Sequence, residues 1–131
     1  MAETHCRDFA WRGHASGLAL RASGATGPRR RALGHCALLE WDQPAVIVAI
    51  PGHTPGSVSL LFSRARTLIA GHAIASHEGE PMLGVFNSDP DQARQSFRAL
   101  AELDIDVACF GHGEPLLDNA RERLAGVAAR L

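Results

Sequence analysis

The sequence predicts an α/β or α+β layer protein, and three observations carry that prediction. Short apolar, β-branched runs recur from residue 36 onward between glycine- and proline-rich turns. Amphipathic helical patterns occupy much of the last third. Their order, strand, strand, helix, strand, helix, is that of helices layered on a sheet.

Taken in order, "ASGLALRA" at 15–22 predicts a short helix that ends at Ser23-Gly24. "GATGPRRRALG" is a loop by its glycines and proline, and its Arg29, Arg30 and Arg31 read as a solvated basic run. "CALLEW" and "AVIVAI" predict strands; the second, at 45–50, is apolar on both faces and so is expected to be central. "PGHTPGS" is a stiff turn, and "SVSLLF" and "TLIAG" are strands on either side of the polar "SRAR". Residues 76–88 read as a loop around a strand-like piece, "MLGVF".

The clearest helix begins at "SDPDQARQSFRALAEL". Asp89 suits the cap, Pro90 the first helical position, and Gln92 follows three residues after the cap. Ala93, Phe97, Leu100 and Leu103 share one face. "DIDVACF" predicts a buried strand running into Gly111-His112-Gly113, with Cys109 packed as a small core hydrophobe. A last helix is expected from near Asp118, with Ala120, Leu124, Val127, Ala128 and Leu131 on its apolar face.

Bulk properties narrow the class. A chain of 131 residues is one domain by length, large enough to bury a core. It is 46% hydrophobic and 21% charged, with a net charge of −1, which gives no reason to expect nucleic acid or an anionic membrane as partner. The three cysteines, Cys6, Cys36 and Cys109, are odd in number and share no short spacing, as suits a reducing cytoplasm. No signal peptide is visible and no apolar run approaches membrane-spanning length. A serine elbow, a Walker loop and a dinucleotide-binding glycine motif find no match.

Histidines supply the chemical signal. His53 in "PGHTPG", His72 in "AGHA" and His112 in "FGHGEP" all fall where predicted strands end, the usual place for ligands carried on a rigid sheet. Flanking glycines let the backbone turn sharply beside each imidazole.

These motifs, in this order, resemble the metallo-β-lactamase superfamily of metal-dependent hydrolases over roughly residues 40–131. The resemblance implies part of an αββα sandwich, mainly its C-terminal half, in a single domain over 1–131 that is N-terminally truncated relative to the family. It implies that His53 corresponds to a ligand of one metal and His112 to a ligand of a second. The residue matching His72 is normally an aspartate that bridges both. The family's upstream His-x-His-x-Asp-His cluster is matched best by "FAWRGHASGL", where Phe9, Trp11 and Gly13 replace three ligands and His14 keeps the fourth. An alignment starting at "THCRD" places His5 first but loses the match to the following helix.

The implied activity is hydrolysis of a small-molecule ester, thioester, lactone or phosphoester. With the dinuclear set incomplete, the implied cofactor is at most one ion, zinc or alternatively iron or manganese, at His14, His72 and His112 with His53 assisting. No catalytic side chain is assigned. The other reading is a non-catalytic, degenerate member acting as a binding module. In it, His53 and His112 are turn residues bonded to backbone, His72 marks a lost site, and Glu114 and Asp118 are a turn residue and a helix cap. His5, His35 and His77 are expected to be exposed or locally bonded. A half-sandwich leaves an apolar sheet face, so a homodimer or a partner chain is expected to cover it.

Overall fold

A computed structural model of the protein describes residues 38–39 and 45–131. The expected helix at 15–22, the arginine loop, His5, Cys6, His14, His35 and Cys36 lie outside the described residues.

Among the described residues the main sheet has five strands, β1 (Leu38–Leu39), β2 (Ala45–Ala49), β3 (Val58–Phe62), β4 (Thr67–Ile69) and β7 (Val107–Cys109), in the order β1-β2-β3-β4-β7. The first four pair antiparallel, and β7 joins β4 in parallel. A separate antiparallel hairpin is formed by β5 (Ile74–His77) and β6 (Glu80–Leu83). Among the described residues two helices, α1 (Pro90–Ala101) and α2 (Ala120–Ala128), pack with these strands in a mixed α/β layer structure. The strand expected to be central, β2, is interior but second in order; β3 holds the middle.

Register explains the burial. Val48 opposes Ser59, and Leu61 opposes Leu68, which opposes Ala108, so these side chains share one face. Val48, Leu68 and Ala108 of that face join Phe97, Leu100 and Leu124 of the helices in one core cluster. Each large apolar side chain buried this way contributes about 1.5–3 kcal/mol relative to exposure. The opposite face is covered at β2, where Ala45 and Ile47 are buried, but Val58 and Ile69 are 38% and 40% exposed. Cys109 pairs with Ile69 on this second face and is only half-buried, outside the helix-side core where the sequence placed it.

Helix α1 starts as its sequence dictates. The Asp89 carboxylate accepts the N–H of Gln92 at 3.0 Å, and Pro90 fills the first helical position. Ala93, Ser96, Phe97, Leu100 and Ala101 are its buried residues, whereas Leu103 lies just past its end and is buried in the turn. Helix α2 begins at Ala120, near Asp118 as expected, but Asp118 is not its cap. Asn119 occupies the cap in a left-handed conformation, without a side-chain cap bond. The 76–88 stretch is not simply a loop: Glu78 and Gly79, both at positive φ, close the β5–β6 hairpin, and β6 ends at Leu83, before Val85-Phe86. Among the described residues no helix is long and apolar enough to cross a membrane.

Candidate metal centre

Three loops at one end of the main sheet carry the predicted histidines. His53 sits in the turn between β2 and β3, closed by the Ile50 N–H to the Ser57 carbonyl (2.9 Å) and the Ser57 N–H to the Thr54 carbonyl (3.2 Å). Gly52, at φ +133°, is where the turn presses on α1: a Cβ there would lie 2.3 Å from the Ala93 nitrogen. Helix α1 holds the turn from below. The buried Ser96 hydroxyl donates to the Pro51 carbonyl at 2.6 Å, and the Asp89 N–H donates to the Gly52 carbonyl at 2.9 Å. Sequence reasoning missed Ser96, whose role depends on a contact 45 residues away.

His72 lies in a single 3-10 turn (Gly71–Ala73) linking β4 to β5. His112 follows β7, and backbone bonds fasten its loop to that turn: the Gly111 N–H to the Gly71 carbonyl (2.8 Å) and the Ser76 N–H to the His112 carbonyl (2.9 Å). The parallel β4–β7 pairing is what brings these two segments side by side.

The imidazoles gather as expected. The rings of His53 and His72 have centroids 5.2 Å apart and are tilted by 38°. Those of His72 and His112 lie 4.8 Å apart, edge to face at 72°. Gly111 leaves room for this, since a Cβ there would stand 2.5 Å from Cδ2 of His72. His53 is half-buried, and its Nδ1 is buried with no hydrogen-bond partner among the described residues, none of whose backbone groups accounts for that nitrogen. His72 and His112 are exposed, as are His77, Glu114 and Asp118.

A fit test for a metal gives a divided result. Two imidazoles sharing one tetrahedral zinc, at Zn–N of about 2.0–2.1 Å, have centroids about 5 Å apart. Both neighbouring pairs have that spacing. Yet among the described residues no group of three or more His, Cys, Asp or Glu is placed to hold an ion. The described histidines offer pairs, and a zinc site with three or four protein ligands needs a further donor. His14, the remaining histidine of the expected set, lies outside the described residues.

Fold and loops together define a layered α/β protein with histidine-bearing turns at one sheet end, and comparison with known proteins gives that class its family. A sequence model of the Metallo-beta-lactamase superfamily matches residues 38–112, a span that contains His53, His72 and His112, and the chain belongs to that superfamily. A curated Bacillus subtilis (strain 168) protein named "Probable metallo-hydrolase YflN" is 36% identical over 98 residues, covering 64% of this chain and 37% of that protein. Crystal structures of a metallo-beta-lactamase family protein from Thermus thermophilus and of a beta-lactamase domain protein from Burkholderia ambifaria are similar in fold. Their TM-scores are 0.61 and 0.60, at 23% and 22% identity, over 79% and 81% of this chain. The chain spans only 37% of the curated relative and 35% and 34% of these two structures, as the resemblance to a C-terminal half implies.

Proposed function

We propose that the chain is a metal-dependent hydrolase of the superfamily whose site takes a single ion, with His53, His72 and His112 offering imidazoles and His14 completing the set. The observation that carries this reading is the spacing of the three rings, 5.2 and 4.8 Å from the central His72 to its neighbours. The unpartnered Nδ1 of His53 supports it, because a buried nitrogen without a hydrogen-bond partner is costly unless something binds it. A bound zinc, iron or manganese ion would supply activation of water and polarisation of the scissile carbonyl or phosphoryl group. The chain's own part is to fix the imidazoles: Ser96 and Asp89 tie the His53 turn to α1, and the Gly71, Gly111 and Ser76 backbone bonds tie His72 to His112.

One ion rather than two follows from charge. Neutral imidazole at position 72 does not offset the mutual repulsion of two dications as a shared carboxylate does. Small esters, thioesters, lactones and phosphoesters are the substrate classes in question, and a reducing cytoplasm suits the cysteine content. The second reading, a non-catalytic binding module, is favoured by His72 itself, which stands where the family resemblance calls for the bridging aspartate.

The deciding experiment is elemental mass spectrometry of the full chain purified without a histidine tag, beside His72→Ala and His112→Ala. Near-stoichiometric metal in the parent, lost in both variants, is the expected result. A folded parent that stays metal-free after reconstitution would overturn the hydrolytic reading in favour of the binding module.

A further inference from the structure

Two groups of bonds hold the histidine loops, and they fasten different things. One ties the His53 turn to α1, through the Ser96 hydroxyl to the Pro51 carbonyl and the Asp89 N–H to the Gly52 carbonyl. The other ties the His72 turn to the His112 loop, through the Gly111 N–H to the Gly71 carbonyl and the Ser76 N–H to the His112 carbonyl. Beyond the strands themselves, residues 84–88 between β6 and α1 bridge these two units. At the start of that segment the Gly84 N–H donates to the Ala73 carbonyl at 3.0 Å. The Gly84 α-carbon lies so near His72 that a Cβ there would stand 2.0 Å from the His72 carbonyl oxygen. At the other end the Ser88 N–H donates to the His53 carbonyl at 3.2 Å and the Ser88 hydroxyl to the Gly52 carbonyl at 3.1 Å.

One side chain closes this strut on itself. The Asn87 amide nitrogen donates to the Gly84 carbonyl at 2.6 Å, linking the residue at one anchor to the residue before the other. The bond spans a turn whose third residue, Phe86, holds φ +58°, where glycine or asparagine is usual. Because a carbonyl can only accept, the Asn87 nitrogen faces it, and Oδ1 is left buried with no hydrogen-bond partner among the described residues. A left-handed phenylalanine and an unpaired buried amide oxygen are each unfavourable, and here they fall on consecutive residues. Backbone strain of this kind persists where the surroundings hold it in place, and it gathers at functional sites.

We propose that Asn87 is a positioning residue of the histidine site: by clasping the turn from Gly84 to Asn87 it sets the separation of the His53 ring from the His72 ring. This rests on the reading of the three histidines as one ligand site. Asn87 acts through Gly84 on the His72 turn and through Ser88 on the His53 turn, and touches no ligand itself. Without the clasp Phe86 relaxes from its left-handed conformation and the span between the two anchors changes. The His72 and His112 loops, fastened to each other, then shift together against His53.

The test is inter-ring NOE spectroscopy of the metal-free full chain beside Asn87→Ala, Asn87→Asp and Phe86→Gly/Asn87→Ala, with thermal unfolding of each. An ionised aspartate keeps the shape of the side chain but has no N–H for the Gly84 carbonyl. In the parent both neighbouring ring pairs, at 5.2 and 4.8 Å, should give cross-peaks. Both single variants should lose the His53–His72 cross-peak and keep the His72–His112 one. Glycine at position 86 adopts positive φ freely, so the double variant should regain the His53–His72 cross-peak, and the fold as well should a single variant not fold. A His53–His72 cross-peak retained in the single variants, loss of both cross-peaks in a folded single variant, or defects that Phe86→Gly does not reverse would overturn the proposal. Zinc titration of the same samples separates it from the reading on which it rests. Losing the clasp should weaken zinc binding by about 10–100-fold, and the double variant should recover it. A parent that binds no zinc would sink the single-ion reading, while the metal-free cross-peaks still decide the role of Asn87. Zinc held equally by the parent and Asn87→Ala would sink this inference alone.

Discussion

Two glycines flank His112 and receive the same added methyl group in Gly111→Ala and Gly113→Ala, yet the structure predicts opposite consequences. At Gly113 the new Cβ would lie 1.9 Å from the Ser76 carbonyl oxygen, and the backbone holds φ +86°. Both obstacles are backbone, so the loop must move and the Ser76–His112 hydrogen bond with it. Left-handed strain costs about 1–2 kcal/mol. Overpacking adds about 1–3 kcal/mol and the lost bond about 1 kcal/mol. The sum, about 3–6 kcal/mol, is a large share of a stability of about 5–15 kcal/mol. For a chain of this size it lowers Tm by about 10–20 °C. At Gly111 no positive φ is involved; the new Cβ stands 3.2 Å from the Gly71 carbonyl carbon, which a small shift relieves, and meets Cδ2 and Nε2 of His72 at 2.5 and 2.9 Å. Those atoms are the far end of an exposed side chain that can swing away. The smaller entropy of unfolded alanine offsets part of the cost, so stability should change by no more than about 1 kcal/mol. Thermal unfolding of both variants, with the His72 and His112 ring resonances followed by NMR, makes the check. Gly113→Ala should lose stability; Gly111→Ala should keep it but shift the His72 ring. Equal loss of Tm in the two variants, or an unmoved His72 ring in Gly111→Ala, would refute the reasoning.

Three further outcomes follow from the same packing. Ser96→Ala removes the hydroxyl that satisfies the Pro51 carbonyl under the His53 turn, and should lower stability by about 1–3 kcal/mol in denaturant unfolding. Asp89→Ala removes the α1 cap and should cost about 1 kcal/mol, read by the same method. At the far end of the sheet, Arg66 donates to both oxygens of Asp106 and to Asp104, holding the Asp106 carboxyl below its ordinary value, chiefly through the Arg66 hydrogen bond. A depressed folded-state pKa contributes stability that is present above the ordinary aspartate range and is lost as pH falls through the folded value. Unfolding measured from neutral to acid pH should therefore show a shallower acid loss in Arg66→Met than in the parent.

What the sequence made legible, and what it did not, divides along the reach of the interactions. Asp89, Pro90 and the Phe97–Leu100 face of α1 act within one or two helical turns, and each is where local pattern placed it. The strands around the histidines were legible for the same reason, as apolar runs cut by glycine and proline. Strand β5 was not: "IASH" is short and mixed in polarity, and only the Glu78-Gly79 turn, with both residues at positive φ, marks it as half of a hairpin. The cap of α2 was also hidden, because Asp118 looks like a cap whereas Asn119 takes the position, in a left-handed conformation and without a side-chain cap bond. Cys109 was assigned to the core from the polarity of its strand, but polarity does not say which sheet face the helices cover.

The site shows the same division more sharply. Local motifs singled out three histidines at strand ends, and parallel pairing of β4 with β7 and the β2–β3 turn bring their loops to one sheet end. What motifs do not encode is the arrangement of the rings once one ligand type replaces another. An aspartate at position 72 would present two oxygens close to the backbone, whereas the imidazole of His72 reaches out to Gly111 and contacts His112 edge to face. The glycine that gives the turn its freedom therefore also gives His72 its place. Gly111, which the family motif explains only as a hinge, is in this chain the residue that decides where the central imidazole can sit. For that reason the metal content of Gly111→Ala is informative beyond its stability. If His72 is a ligand, displacing it without unfolding the chain should lower metal occupancy as far as His72→Ala does. If occupancy stays at the parental level, His72 does not hold the ion, and the single-ion site has to be rebuilt around His53, His112 and His14.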